Sequence, residues 1–251
     1  MRVLILGGTT EAASLARQLA DDNRFVATLS LAGRTSAPAT QALPTRIGGF
    51  GGIEGLVHHL EVEKIEAVVD ATHPYAAQMS AHAVAACRQT SLPLASLTRA
   101  PWIEQAGDRW QHVSNTESAA MVLGDTPRRV FLTIGRQELP VFASAPQHHY
   151  LARLIDVPDG ERLPPSLVLL QARGPFDVAA ETALMRDERI DVVVSKNAGG
   201  DPTYAKIAAA RALGLPVVMI ARPDKPAGHV ATSPAEAVQW LDHVRRSLRG
   251  V

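Results

Sequence analysis

Short β-rich apolar runs alternate with Ala/Leu-rich amphipathic segments along most of this chain, and that alternation restricts the fold more than any other feature. Val3–Leu6 reads as a strand and Glu11–Ala20 as a helix. Phe25–Leu29 reads as a strand, Ile53–Leu60 as a helix, Ala67–Asp70 as a strand, Ala76–Arg88 as a helix and Leu92–Leu97 as a short strand. Strands that are continuously apolar, each followed by a helix, belong to parallel sheets covered on both faces. The rhythm breaks between Thr98 and Asn115, which carry Pro101, Trp102, Gly107 and Trp110 with no clean period. It then resumes. Arg129–Thr133, His149–Ile155, Val168–Leu170, Asp191–Ser195 and Val217–Ile220 read as strands, while Val178–Asp187, Thr203–Leu213 and Pro234–Leu248 read as helices.

The expected fold is therefore α/β, with two Rossmann-like domains of mainly parallel sheet and a ligand cleft between them. The expected division is 1–98 and 99–251, with the final helix open to packing on either half. Ligands of such sheets bind outside the carboxyl ends of the strands, so the loops directly after strands are where function is sought.

Composition narrows the classes. The 251 residues carry 25 basic and 25 acidic side chains, so no global field favours nucleic acid or a membrane surface. Cys87 is the single cysteine, which excludes an intrachain disulfide framework and fits a reducing compartment. The apolar N-terminus is too short for a signal peptide, and no apolar run reaches the roughly 20 residues of a membrane span. The expectation is a cytoplasmic protein with no obligatory protein partner. No Cys/His cluster or HExxH suggests a metal, and neither a P-loop nor a G-x-S-x-G elbow is present. The lack of a strong intrinsic nucleophile fits hydride transfer, in which a cofactor carries the chemistry.

Four loops stand out. LGGTTEA (6–12) follows a strand and opens a helix. Gly7 and Ala12 match the outer positions of a dinucleotide fingerprint, but Thr9 replaces its middle glycine. Gly7, Gly8, Thr9, Thr10 and Glu11 are candidates for holding a phosphate at the helix start, the alternative being a glycine turn with a threonine cap. In SLAGRTS (30–36) no acid is available for a ribose 2′-hydroxyl. Arg34 with Ser30 and Thr35 suits a 2′-phosphate instead, which favours NADPH over NADH. DATHPYAAQ (70–78) places Thr72, His73 and Tyr75 at a strand end, either as ligand contacts or as simple helix capping, with Pro74 suited to the first helical position. The fourth is VVVSKNAGGDPTYAKI (192–207), with Lys196, Asn197, Gly199, Gly200, Asp201 and Lys206. Arg136 and Arg173 follow strands in the same half, and each is a candidate for a carboxylate or an ordinary surface charge.

LGGTTEA, VVDATHPYA, RGPF at Arg173–Phe176, SKNAGG followed by TYAKIAAA, and VVMIARP resemble, in that order, the precorrin-6A reductase family of cobalamin biosynthesis. The resemblance spans nearly the whole chain. It implies an NADPH-dependent reductase that adds hydride to a ring carbon–carbon double bond of precorrin-6A, giving precorrin-6B. Ala198 departs from the pattern, since a serine often precedes the glycine pair. The macrocycle bears many acetate and propionate groups. A neutral chain would meet them with local cations, for which Arg136, Arg173, Lys196 and Lys206 are candidates, alongside Tyr75, Asn197, Gly199 and Gly200 on the substrate side and Thr72 and His73 on the cofactor side. Asp201 is either a helix cap or a catalytic counter-charge for the electron-poor ring. The competing readings are an NADPH reductase of a small carbonyl substrate and a non-catalytic two-domain nucleotide sensor.

Overall fold

The structure is a computed structural model that describes residues 1–33, 40–156, 162–225 and 228–250. In chain order the elements are β1 (Arg2–Leu6), α1 (Thr10–Ala20), β2 (Val26–Leu31), β3 (Thr45–Ile47), α2 (Ile53–Val62), β4 (Ala67–Asp70), α3 (Ala77–Gln89), β5 (Leu94–Leu97), β6 (Trp110–Val113), α4 (Thr116–Val122), β7 (Arg129–Thr133), β8 (His149–Leu154), β9 (Leu167–Gln171), α5 (Val178–Asp187), β10 (Val192–Lys196), α6 (Ala205–Leu213), β11 (Val217–Ile220), β12 (His229–Ala231) and α7 (Pro234–Leu248). Short 3-10 helices at Arg136–Ser144 and Asp201–Thr203 fill the loops after β7 and β10.

Two compact units result. Met1–Ala100 together with Pro223–Val251 form the first, and Pro101–Arg222 form the second. The expected span 99–251 is corrected at its end: β12 pairs with β5 and α7 packs with α1, so the chain returns to the first unit. The reason lies in α7 itself. Ala237, Leu241 and Val244 recur at helical spacing and are buried in the cluster that contains Val3, Ile5 and Leu15. Burying one such large side chain is worth about 1.5–3 kcal/mol.

Both sheets are wholly parallel in their recorded pairings. The first runs β3-β2-β1-β4-β5-β12 and the second β9-β8-β7-β10-β11-β6. Each has the doubly wound spatial order 3-2-1-4-5-6. The sixth position is filled from opposite directions in sequence. In the first unit it is the last strand of the chain, and in the second it is the strand made before the other five.

Strand alternation sorts the two faces of the first sheet. Val3 and Ile5 join the cluster with α1 and α7, while Leu4 and Leu6 join the cluster with Leu56, Leu60, Ala83 and Ala86 of α2 and α3. In the second unit Phe131, Val193, Val217 and Met219 pack with Met185 of α5 and Ile207, Ala209 and Ala210 of α6. The stretch from Thr98 to Asn115 is not irregular throughout, because it contains β6 as an edge strand. α4 and β12 were also unexpected. The helix expected from Ala76 begins at Ala77, and Pro74 precedes it rather than opening it. The helix expected from Thr203 begins at Ala205, after a 3-10 turn.

Candidate active site

In the first unit, β1 lies between β2 and β4, so the loops after β1 and β4 flank the switch point. Gly7 donates its N–H to the Ser30 carbonyl at 2.9 Å. A Cβ on Gly7 would meet Leu29 Cδ1 at 2.6 Å. Gly8 has φ of 120°, a backbone region that favours glycine. The chain then enters α1. Thr9 is its N-cap, accepting the Ala12 N–H at 3.1 Å and donating its hydroxyl to the Ala71 carbonyl at 2.8 Å. The threonine expected to face a phosphate therefore ties the β1 loop to the β4 loop. Thr10 and Glu11 open the helix. Glu11 pairs with Arg99, which follows β5, at 2.9 Å, and Thr10 donates to Glu11 at 3.2 Å. Burial works to raise the Glu11 carboxyl. Its own backbone N–H, the Arg99 charge and the hydrogen bonds from Arg99 and Thr10 outweigh that and hold it below the ordinary value.

Ser30 is buried at the end of β2 and accepts from Arg46 Nη1 at 2.8 Å. Arg46 also donates to the carbonyls of Gly48 and Gly49, both at 3.0 Å, and lies 3.9 Å over the Phe50 ring. Arg34 and Thr35 fall outside the described residues. After β4, Asp70 is 2 % exposed and accepts from the Thr72 N–H at 3.1 Å, the Thr72 hydroxyl at 2.6 Å and Ser80 at 2.5 Å. Lys225 approaches Asp70 at 3.7 Å and Thr72 at 3.4 Å. Thr72 is thus a buried member of this cluster and its hydroxyl is committed to Asp70. His73 Nδ1 accepts the Tyr75 N–H at 3.3 Å, and the two rings lie 5.7 Å apart. Neither Thr72 nor His73 caps α3, whose N-cap is Ala76 without a side-chain bond.

In the second unit the switch point lies at β7, between β8 and β10. β10 ends in Lys196, whose Nζ donates to Glu138 in the loop after β7. Glu138 also accepts the Gly135 N–H at 2.8 Å. Arg136 starts the same loop. Asn197 Oδ1 accepts the Trp102 N–H at 2.7 Å and its Nδ2 donates to the Trp102 carbonyl at 3.0 Å. Trp102 Nε1 donates to the Gly200 carbonyl at 2.8 Å, and Arg222 donates to the carbonyls of Asn197 and Ala198 at 2.8 and 2.9 Å. Gly199 and Gly200 have φ of 68° and 71°. The pair makes this positive-φ turn, and Trp102 holds the Gly200 carbonyl. Asp201 is exposed and opens the 3-10 turn, whose N-cap is Gly200 with no side-chain cap bond. The cap alternative is therefore not the role of its carboxylate.

Lys206, a candidate for the ring's carboxylates, packs close to its own backbone. It is 5 % exposed, donates to the Thr203 carbonyl at 2.9 Å and lies 5.0 Å from the Trp102 ring centre. Arg173 is exposed in the loop after β9. That loop is anchored by Phe176, whose ring lies 3.7 Å from the Arg153 guanidinium. Arg153 in turn pairs with buried Glu181 on α5.

Sequence reasoning missed Arg46, Arg99, Glu138 and Lys225. Glu138 had a local signal, since Gly135-x-x-Glu138 has the spacing of a capping box. The other three act across 16 to 153 residues and had none.

A pair of doubly wound parallel units with glycine-rich loops at their strand ends defines a two-unit α/β protein with Rossmann-like halves. Residues 2–242 match the family model described as Precorrin-6x reductase CbiJ/CobK. The chain belongs to that family. A precorrin-6A reductase from Rhodobacter capsulatus is 54 % identical over 250 residues, covering 100 % of this chain and 99 % of the relative. One from Rhodococcus erythropolis is 47 % identical, covering 98 % and 99 %. A cobalt-precorrin-6A reductase from Priestia megaterium is 29 % identical, covering 98 % and 100 %. A solved structure described as CobK precorrin-6A reductase superimposes with a TM-score of 0.92 at 54 % identity, covering 97 % of each chain.

Proposed function

We propose that this protein is an NADPH-dependent precorrin-6A reductase, which adds hydride to a ring double bond of the macrocycle and gives precorrin-6B in cobalamin biosynthesis. The observation that carries the reading is the end-to-end 54 % identity to a precorrin-6A reductase. Relatives named for the cobalt-free substrate are 46–54 % identical and those named for the cobalt substrate 28–30 %. That gap supports the cobalt-free ring as substrate.

The first unit suits a nicotinamide dinucleotide. Its Gly7–Gly8 turn leads into the N-terminus of α1 at the switch point, where backbone N–H groups suit a pyrophosphate. The cofactor supplies the hydride. Gly7, Gly8, Thr10 and Glu11 line the approach, with Arg99 as a neighbouring cation. Ser30, Arg34 and Thr35 are assigned to the 2′-phosphate, with Arg46 holding Ser30 in place. His73 lies on the same edge. Tyr75, Arg136, Arg173, Lys196, Gly199 and Gly200 are assigned to the macrocycle. Asp201 supplies a fixed negative charge that stabilises positive charge on the ring as hydride approaches. Among the described residues no helix is long and apolar enough to cross a membrane, and a cytoplasmic location is part of the same proposal.

The decisive experiment mixes the protein with NADPH and precorrin-6A and follows both absorbances. NADPH loss together with shortened ring conjugation supports the reading. Tight NADPH binding without oxidation would instead favour a sensor. Arg34→Ala should weaken NADPH far more than NADH, and equal weakening of both would remove the 2′-phosphate assignment.

A further inference from the structure

Saturating a carbon–carbon double bond consumes a proton as well as a hydride. The π bond breaks, one carbon takes the hydride while the dinucleotide becomes oxidised, and the other carbon takes a proton from an acid. Among the described residues, the carboxyl edge of the second sheet offers few groups for that task. Arg136 does not release a proton near neutral pH. Lys206 is buried against Trp102. The Tyr204 hydroxyl accepts from Arg211. Asp201 has the opposite task, as a fixed negative charge.

Lys196 differs from these. It ends β10 at the switch point, and its side chain is 14 % exposed. Its Nζ meets Glu138 Oε1, and Glu138 Oε2 is held by the Gly135 N–H at 2.8 Å. The carboxylate is clamped by the loop after β7, so it fixes where the ammonium sits. Glu138 remains 28 % exposed, which leaves the pair open to water for reprotonation.

We infer that Lys196 is the proton donor of the reduction and that Glu138 is its positioning residue; this rests on the reductase reading above. As the second ring C–H bond forms, one ammonium N–H bond breaks. The neutral amine left behind takes its proton back from solvent.

Lys196→Arg separates this role from carboxylate binding. Arginine keeps the charge and can bond Glu138, yet it is not a usable acid. We expect its turnover to fall about 10²–10⁴-fold, the scale of general acid catalysis, with KM for precorrin-6A unchanged. Ring affinity, titrated by absorbance without cofactor, should also be unchanged. Lys196→Ala should regain turnover in proportion to added methylammonium. Glu138→Gln should lower kcat without raising KM. If Lys196→Arg turns over like wild type, or raises KM alone, Lys196 is a carboxylate anchor and the proposal fails. Absence of amine rescue in Lys196→Ala counts against it equally. A wild-type protein that binds the ring but never oxidises NADPH would overturn the reductase reading, and this inference with it, so the two failures are told apart.

Discussion

Replacing Glu181 with glutamine tests how the RGPF loop is held. Arg153 and Glu181 are 7 % and 3 % exposed and face each other with two hydrogen bonds, one of them 2.8 Å long. Removing one partner of a buried ion pair costs about 3–5 kcal/mol, because the other charge is left uncompensated. Two features reduce that here. Glutamine keeps one oxygen to accept from the guanidinium, and a hydrogen bond to a charged group is worth about 1.5–3 kcal/mol. The guanidinium also stays between Phe176 at 3.7 Å and Phe131 at 5.0 Å, so those contacts are not lost. The expected cost is about 2–3 kcal/mol. Trp102 and Trp110 lie in the second unit and Trp240 in the first, so a Trp240→Phe background makes tryptophan fluorescence report the second unit alone. With a urea slope of about 2 kcal/mol/M, the midpoint should fall by roughly 1–1.5 M. A double change, Arg153→Met with Glu181→Leu, should recover most of it, because a well-packed apolar pair is often no less stable. A Glu181→Gln midpoint within about 0.3 M of the parent would refute the reasoning, since that shift is near 0.6 kcal/mol at this slope.

Three further outcomes are expected. The Glu11 carboxyl is held below its ordinary value of 4.5, so its contribution to the first unit is complete above about that pH. It is lost as pH falls through the lower folded value, and Glu11→Gln should flatten that acid limb in a stability–pH series. Burial, with the Asp70 charge adding to it, pushes the Cys87 thiol up to about 12; a thiol reagent should therefore leave the native protein unmodified and label one thiol on unfolding. Asp201→Asn should change stability by no more than about 0.5 kcal/mol, as for surface positions, because no cap bond is lost, while turnover falls about 10²-fold, the scale of one electrostatic group. Equal turnover at equal folding would remove the counter-charge role.

The strands and helices that were legible share one property: each has enough length and burial to impose its period. β1, β4 and β10 are buried along nearly their whole length, and their β-branched runs announced them. β6 reads WQHV, with its middle two residues exposed, and β12 has three residues. Both are edge strands, paired on one side, so neither needs a continuous apolar run. α4 has seven residues, about two turns, too few to display a stripe. At the site, the glycines and Thr9 could be placed because turns and caps are local chemistry. The backbone partners of Asn197 and Lys206 left no local signal, because a polar residue beside a glycine pair looks the same whether it faces a ligand or its own backbone.

By itself the sequence determined the α/β class, the doubly wound halves and the loops that matter, and its ordered motifs carried the family resemblance. These depend on periodicity and turn chemistry within a few residues. The tertiary structure alone decided that the last strand and helix complete the first unit, that Arg99 neutralises Glu11 across 88 residues, and that Glu138 meets Lys196 across 58. Charge pairing acts through space. No local pattern records which distant side chain a parallel sheet will bring to the neighbouring strand end.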